Sequence, residues 1–281
     1  MTEPYPVTVH VKPDLSSSAL VVGWTQDAGR LGTGVVDYLI HKLGAEEFAV
    51  IEPVDFFPLG GVLVEGNLAE FPESTFYWCR QPGLVLFKSA LPVSDWYRFL
   101  DLVLDVAERY GNVREIFTIG GMFSLASHSV PREIFAIPNS PEMRLSLQRH
   151  EVPVNMDYET PPGQRPTMNS FLLWVAKRRS IAGAGLWTSV PFYLAGVHDR
   201  QACRKAVGLL DERFGWGLDH TDLDRDVGIQ NERIAELRSI SAEVDDCLRK
   251  VETGTSLAEQ EIADLAARIE EHLGASDRAL G

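Results

Sequence analysis

Hydrophobic and polar positions change period several times along this chain, and each change marks an element. SALVVGW (residues 18–24) is a short apolar run with turn residues behind it, which predicts a buried strand. Leu31, Val35, Leu39 and Leu43 then recur at helical spacing until Gly44, a glycine suited to end a helix. FAVIEP (48–53) reads as the next strand. TFYWCR (75–80) and LVLFKSA (84–90) flank the turn tripeptide Gln81-Pro82-Gly83 and predict a hairpin. Ser94 is then placed to cap a helix whose apolar face is Trp96, Phe99, Leu100, Val103, Ala107 and Tyr110, with Gly111 as its stop. That helix feeds REIFTI and the paired glycines Gly120-Gly121, so strand, helix and strand follow one another again at the spacing of a parallel sheet. Further helices are predicted over 167–179 and 199–214, with GLWTSV as the strand between them.

The expected fold is therefore α/β: a mostly parallel central sheet with helices on both faces, occupying residues 1–218. Residues 219–281 change character. They hold sixteen acidic and seven basic side chains, and so nine of the chain's fourteen excess negative charges. Ile234, Leu237, Val244, Leu248 and Val251 follow a seven-residue repeat with Ser241 in its soft position, and Gly254 interrupts it. Ser256-Leu-Ala-Glu259 has the form of a capping box, after which Ile262, Leu265, Ile269 and Leu273 resume the stripe. The pattern predicts an acidic helical hairpin, either packed on the chain's own sheet or offering an exposed seam to a partner.

Composition narrows the function classes. With 281 residues, 45% apolar and 23% charged, the chain has globular proportions. No run approaches the ~18 apolar residues of a membrane span, and the start MTEPYPVTVHVKPD lacks a signal-peptide pattern, so a cytoplasmic protein is expected. Cys79, Cys203 and Cys247 form neither a CxxC pair nor a disulfide framework. A net charge of −14 repels nucleic acid and anionic lipid, which leaves a protein partner or the chain itself as the expected partner.

Candidate chemistry is sparse. The nucleophile elbow GxSxG is absent, and Gly29-Arg-Leu-Gly32-Thr-Gly34 lacks the GK[ST] ending of a phosphate loop, although amides at that helix start suit an anion. No histidine pair has metal-ligand spacing, and neither metal nor cofactor is expected. His128 lies in a loop between serines, where a general base and a backbone-bonded histidine are both open readings. Asp27, before Ala-Gly at a helix start, has the position of a cap. Three segments, 25–29, 120–124 and 188–191, follow predicted strand ends and would gather at one crevice of an open sheet. Its candidate lining is Trp24, Asp27, Gly29, Gly120, Gly121, His128, Trp187, Ser189 and Pro191, with the two tryptophans placed to stack a ring.

With those segments marked, the sequence resembles the proteasome assembly chaperone family, of the kind represented by the second eukaryotic chaperone and its bacterial and archaeal relatives. GWTQDAG (23–29), FAVIEPVDFF (48–57), the Trp96 and Phe99 helix entry after LVLFKSALP, TIGG (118–121) and GLWTSVPFYL (185–194) stand in the family's order and spacing. The resemblance implies an α/β fold of the purine nucleoside phosphorylase and hydrolase type, C-terminal helices and self-association. It also implies a non-catalytic assembly chaperone or scaffold acting through protein surfaces. The alternative is a nucleoside- or anion-binding enzyme or sensor using the crevice. Two departures bear on this choice. Phe192 stands where bacterial relatives carry histidine after the last strand's proline, and Leu280 replaces the next-to-last tyrosine of proteasome-docking tails, so docking by that motif is not expected.

Overall fold

Ten strands and eight helices make up the computed structural model, which describes residues 6–57, 63–65, 68–72, 74–150, 152–154, 159–160 and 162–277. In chain order they are β1 (Val7–Val9), β2 (Ser18–Trp24), α1 (Leu31–Leu43), β3 (Glu46–Ile51), β4 (Leu63–Glu65), β5 (Leu68–Glu70), β6 (Ser74–Cys79), β7 (Leu84–Ser89), α2 (Trp96–Gly111), β8 (Val113–Ser124), β9 (Ile134–Pro138), α3 (Pro141–Gln148), α4 (Met168–Arg178), β10 (Ala182–Pro191), α5 (Arg200–Phe214), α6 (Thr221–Ile240), α7 (Ala242–Glu252) and α8 (Glu259–Asp277). Leu280, and with it the tail motif, lies outside the described residues.

Eight strands form one sheet in the order β1-β3-β6-β7-β2-β8-β10-β9, and β4 pairs with β5 separately. The sheet is mixed, which corrects the expectation of a mostly parallel one. β7 and β8 both run parallel to β2, as the crossover helix α2 requires. The predicted hairpin forms, pairing β6 antiparallel to β7 from Ser74↔Ser89 to Cys79↔Leu84. β3 is antiparallel to β6, and β1 is antiparallel to β3. A tight turn can only return the chain antiparallel, so the hairpin reverses β6 relative to β7, while β3 again runs in the direction of β7 and β2.

Contacts divide the chain into two compact units. The first comprises Met1–Gln26, Val35–Ile119 and Phe135–Leu186; the second comprises Asp27–Gly34, Gly120–Ile134 and Trp187–Gly281. In the first, every residue of β2 is buried, so both of its faces are covered. Leu20, Val22 and Trp24 share a core with Val85 and Phe87 of β7 and with the buried sides of α2 and α4. Lys88, which shares with Leu84 and Leu86 the face opposite to Val85 and Phe87, reaches Asp37 of α1 at 2.7 Å. Helices thus lie on both faces of this sheet.

α2 starts differently from expectation. Its N-cap is Asp95 and not Ser94; Asp95 takes a left-handed backbone (φ 50°) and makes no side-chain cap bond. At the other end Gly111 is the last helical residue, and Asn112 adopts the left-handed conformation (φ 49°), which asparagine tolerates. α4 and α5 begin where the sequence predicts. The Thr167 side chain accepts from the Ser170 N–H, and that of Asp199 accepts from the Ala202 N–H at 2.9 Å.

In the second unit the expected hairpin is a set of three helices. Most of the predicted stripe is buried, namely Ile234, Leu237, Val244, Leu248, Leu265, Ile269 and Leu273, while Val251 and Ile262 beside the α7–α8 turn are half-buried. Ser241, the soft position, is where the chain breaks: its extended backbone (φ −128°, ψ 109°) ends α6, and its hydroxyl accepts from Val244 N–H to start α7. The capping box is displaced by two residues. α8 starts at Glu259, and Glu261 reaches back to accept the Ala258 N–H at 2.9 Å, so the third helical position is Glu261. α8 packs against α6, α7 and the 3-10 turn Phe192–Leu194. No helix among the described residues is long and apolar enough to cross a membrane.

Candidate functional site

Two of the three segments expected to be loops are strand. β8 continues through Gly120 and Gly121 to Ser124, and β10 continues through Thr188 and Ser189 to Pro191. The polar pair stays in the ladder because its backbone finds partners there. Ser189 N–H donates to the Glu133 carbonyl at 2.8 Å, and Ser189 Oγ accepts the Glu133 N–H at 2.9 Å. Pro191 then ends the strand, and the 3-10 turn Phe192–Leu194 follows.

Asp27 is the centre of the second unit's polar contacts. Its carboxylate accepts the Gly121 N–H on both oxygens, at 2.9 and 3.1 Å, and the Gly32 N–H at 3.1 Å. The helix-start amide that suited an anion therefore already has one, supplied by the chain itself. The approach is close enough that a Cβ on Gly121 would lie 2.1 Å from the Ala28 carbonyl oxygen, so only glycine fits there. Gly29 holds a left-handed φ of 69° and is tied at both ends: its N–H donates to the Ala195 carbonyl at 2.9 Å, and its carbonyl accepts the Asp199 N–H at 3.0 Å.

Burial raises the Asp27 carboxyl from 3.8 to about 6, against the lowering effect of the Gly121, Gly32 and Ala28 amides. A carboxyl whose folded pKa lies above its unfolded value contributes most stability when protonated, below about pH 4; that contribution is lost as pH rises through about 6. The expected loss is on the order of 3 kcal/mol from this one group. Asp27→Asn should flatten this slope, measured as the difference in unfolding free energy between wild type and variant across that window. A difference that stays constant with pH would show that Asp27 is not held in this state.

His128 is half-buried and tied to Tyr193, whose ring is fully buried. The Tyr193 hydroxyl accepts the His128 backbone N–H at 2.7 Å and lies 2.9 Å from Nδ1. Burial lowers the imidazole pKa, helped by the Arg132 charge, and burial raises that of the phenol, so both groups stay neutral. Phe192, the departure noted in the sequence, packs edge-on against Tyr193 with ring centroids 5.1 Å apart.

A buried ion pair in this unit was not visible in the sequence. Arg132 Nε donates to Asp199 Oδ2 at 2.9 Å, and its Nη2 donates to Oδ1 at 3.3 Å, with side chains 3% and 0% exposed. Arg132 Nη1 also donates to the His128 and Val130 carbonyls, so one guanidinium fixes the whole 128–132 turn. Asp199 stands at the start of a predicted helix, but nothing local to it or to Arg132 signals a partner 67 positions away.

The remaining candidates are placed as follows. Gly120 is buried in β8, and Trp187 is half-buried in β10. Trp24 belongs to the first unit, where its ring is 3% exposed and packs edge-on to Phe87, and its Nε1 donates to Asn169 Oδ1 at 2.7 Å. That ring is part of the core. Thr188 Oγ1 is buried with no hydrogen-bond partner. Among the described residues no group of three or more His, Cys, Asp or Glu side chains could hold a metal ion.

The family model described as PAC2 family matches residues 20–238, from β2 nearly to the end of α6. The chain belongs to the PAC2 family. Solved structures of similar fold include PbaB of Pyrococcus furiosus, described as an archaeal proteasome activator, at 21% identity and a TM-score of 0.68, covering 82% of this chain and 97% of that one. A Mycobacterium tuberculosis proteasome-assembly chaperone homologue is 17% identical with a TM-score of 0.63, covering 78% and 94%. A Corynebacterium glutamicum protein of unknown function is also 17% identical, with a TM-score of 0.72 over 89% and 95%. No curated protein matches the chain. At these identities the likeness carries the fold, and the α/β architecture with C-terminal helices is that of PAC2 proteins.

Proposed function

We propose that this PAC2 protein is a non-catalytic assembly chaperone or scaffold that acts through protein surfaces. The observation that carries the reading is the way the polar candidates are engaged. Asp27 binds backbone amides, Ser189 binds Glu133, His128 binds Tyr193 and Arg132 binds Asp199. Groups locked in such bonds serve architecture, and a surface function asks nothing further of them. Two relatives described as a proteasome activator and a proteasome-assembly chaperone homologue support a proteasomal partner. Tyr97 and Trp174 of the first unit, an exposed aromatic pair with centroids 6.1 Å apart, support a protein interface in general, since such rings are favoured anchors of interfaces. Tagged protein recovered from its source cells at low salt should bring a stoichiometric protein partner or further copies of itself, read by mass spectrometry and sedimentation. A monomer with neither would overturn the proposal.

A second reading, a nucleoside- or anion-binding sensor or enzyme of the phosphorylase and hydrolase type, is favoured by one observation, the unsatisfied Thr188 hydroxyl. Thermal shift with nucleosides, nucleotides and phosphate separates the two. A ligand at about 100 times its Kd should add about 2.7 kcal/mol, and no shift removes the sensor reading.

A further inference from the structure

The second unit carries a groove of about 430 Å³ between α7 and α8, in the size range of ligand sites. Each helix contributes a stripe at helical spacing: Glu243, Asp246 and Cys247 from α7, and Glu261, Asp264, Leu265 and Arg268 from α8. The floor is closed to water. Val244 and Leu265 are 1% exposed, and Cys247 is 8% exposed, its free thiol without a hydrogen-bond partner among the described residues. The rim is acidic, with Glu243, Asp246 and Asp264 exposed and Glu261 half-buried.

These carboxylates outnumber the cations that reach them. Lys250 is shared, 2.9 Å from Asp246 and 2.7 Å from Glu261, and Arg268 lies 3.8 Å from Glu243. Among the described residues no cation stands at ion-pair distance from Asp264, whose Oδ1 accepts from Gln260 Nε2 at 2.8 Å. Four carboxylates against two cations leave a net charge of minus two, inside a helical region that is itself acidic. Lys250 holds the Glu261 carboxyl below its ordinary value, so this part of the rim is ionised at neutral pH. Burial, then the charge of Glu261, raises the Cys247 thiol, so the negative field reaches the floor. An apolar floor inside such a rim is complementary to an aliphatic side chain flanked by cations, and it repels nucleic acid and anionic lipid.

We propose that this groove docks a basic segment of a partner protein, with an aliphatic side chain seated on the floor and lysine or arginine side chains paired to Asp246, Glu261 and Asp264. The inference deepens the chaperone reading by giving the chemistry of the partner. Its test uses the purified full chain, so it can fail while recovery of a partner from cells still succeeds. Fluorescence anisotropy of a labelled, amidated hexapeptide, Lys-Leu-Lys-Lys-Leu-Lys, measures the binding. Two control peptides replace every lysine by glutamine or every leucine by glycine.

The parent peptide should bind saturably, and added salt should weaken it. The glutamine peptide should not bind, and the glycine peptide should bind at least about tenfold more weakly, the order expected for losing buried aliphatic groups. Asp246→Asn/Asp264→Asn should weaken the parent peptide about tenfold, as the loss of two rim ion pairs would. Glu232→Gln/Glu236→Gln, the same change of charge at exposed positions of α6, should bind as wild type. Ala242→Trp, which sets a ring into the groove from its exposed edge, should block binding. Where circular dichroism shows that Ala242→Trp does not fold, the asparagine pair decides. Absence of saturable binding, equal binding of the glycine peptide, or equal weakening by the α6 pair would overturn the assignment, the last by showing diffuse attraction only. Displacement of the peptide by spermine, lost in the asparagine pair, would make the occupant a small polycation. A wild-type oligomer that Ala242→Trp dissociates in sedimentation would make it a second copy of the chain, and either result also overturns the proposal.

Discussion

Arg132→Leu is expected to destabilise the protein by about 3 to 5 kcal/mol, the cost of leaving a buried charge without its partner. Asp199 is 0% exposed, and with the guanidinium gone its carboxylate would keep only the Ala202 amide of its own helix cap. The 128–132 turn would lose its anchor at the same time, because Arg132 also holds the His128 and Val130 carbonyls. The double variant Arg132→Leu/Asp199→Asn should recover much of the loss, since removing both charges avoids the unpaired one. Urea unfolding of wild type and the two variants measures this directly. A single variant within about 0.5 kcal/mol of wild type would place it among ordinary surface changes and contradict the buried pair.

Phe99→Ala should cost about 3 to 5 kcal/mol through the cavity it leaves. Its ring is fully buried in the first unit and meets four others, Phe56 at 5.0 Å, Phe57 at 5.9 Å, Phe87 at 6.3 Å and Trp24 at 6.5 Å between centroids. The sequence suggested Trp96 as an equal member of that face. Trp96 is only half-buried, with Arg165 over its ring and Phe171 beside it, and its Nε1 donates to the Pro92 carbonyl. Trp96→Ala should therefore cost clearly less than Phe99→Ala in the same unfolding experiment. Equal losses would mean that the helix face is wrongly placed.

Helix periodicity says which side of a helix is apolar, and it was right for Phe99, Leu100, Val103 and Ala107 of α2. It does not say which end of that stripe is fully enclosed and which stays at the edge of the core, as Trp96 does. The strand ends show the same limit. Gly120-Gly121 and Thr188-Ser189 look like turn residues because small and polar side chains usually mark turns. Their backbones remain in strands, and Ser189 does so through Glu133, a partner distant in sequence.

Elements whose cause is local were determined by the sequence alone. Thr167 and Asp199 cap the helices they precede, Gln81-Pro82-Gly83 turns the hairpin, and most of the stripe from Ile234 to Leu273 is buried as its spacing demands. A cap, a turn and an amphipathic stripe each act within a few residues, so their signal is complete in a short window. Tertiary structure decided the use of Asp27 as an internal anion for Gly121 and the union of Arg132 with Asp199. Each of these depends on which distant group fills a vacant hydrogen bond or balances a buried charge, and that choice is made only when the chain has closed around it.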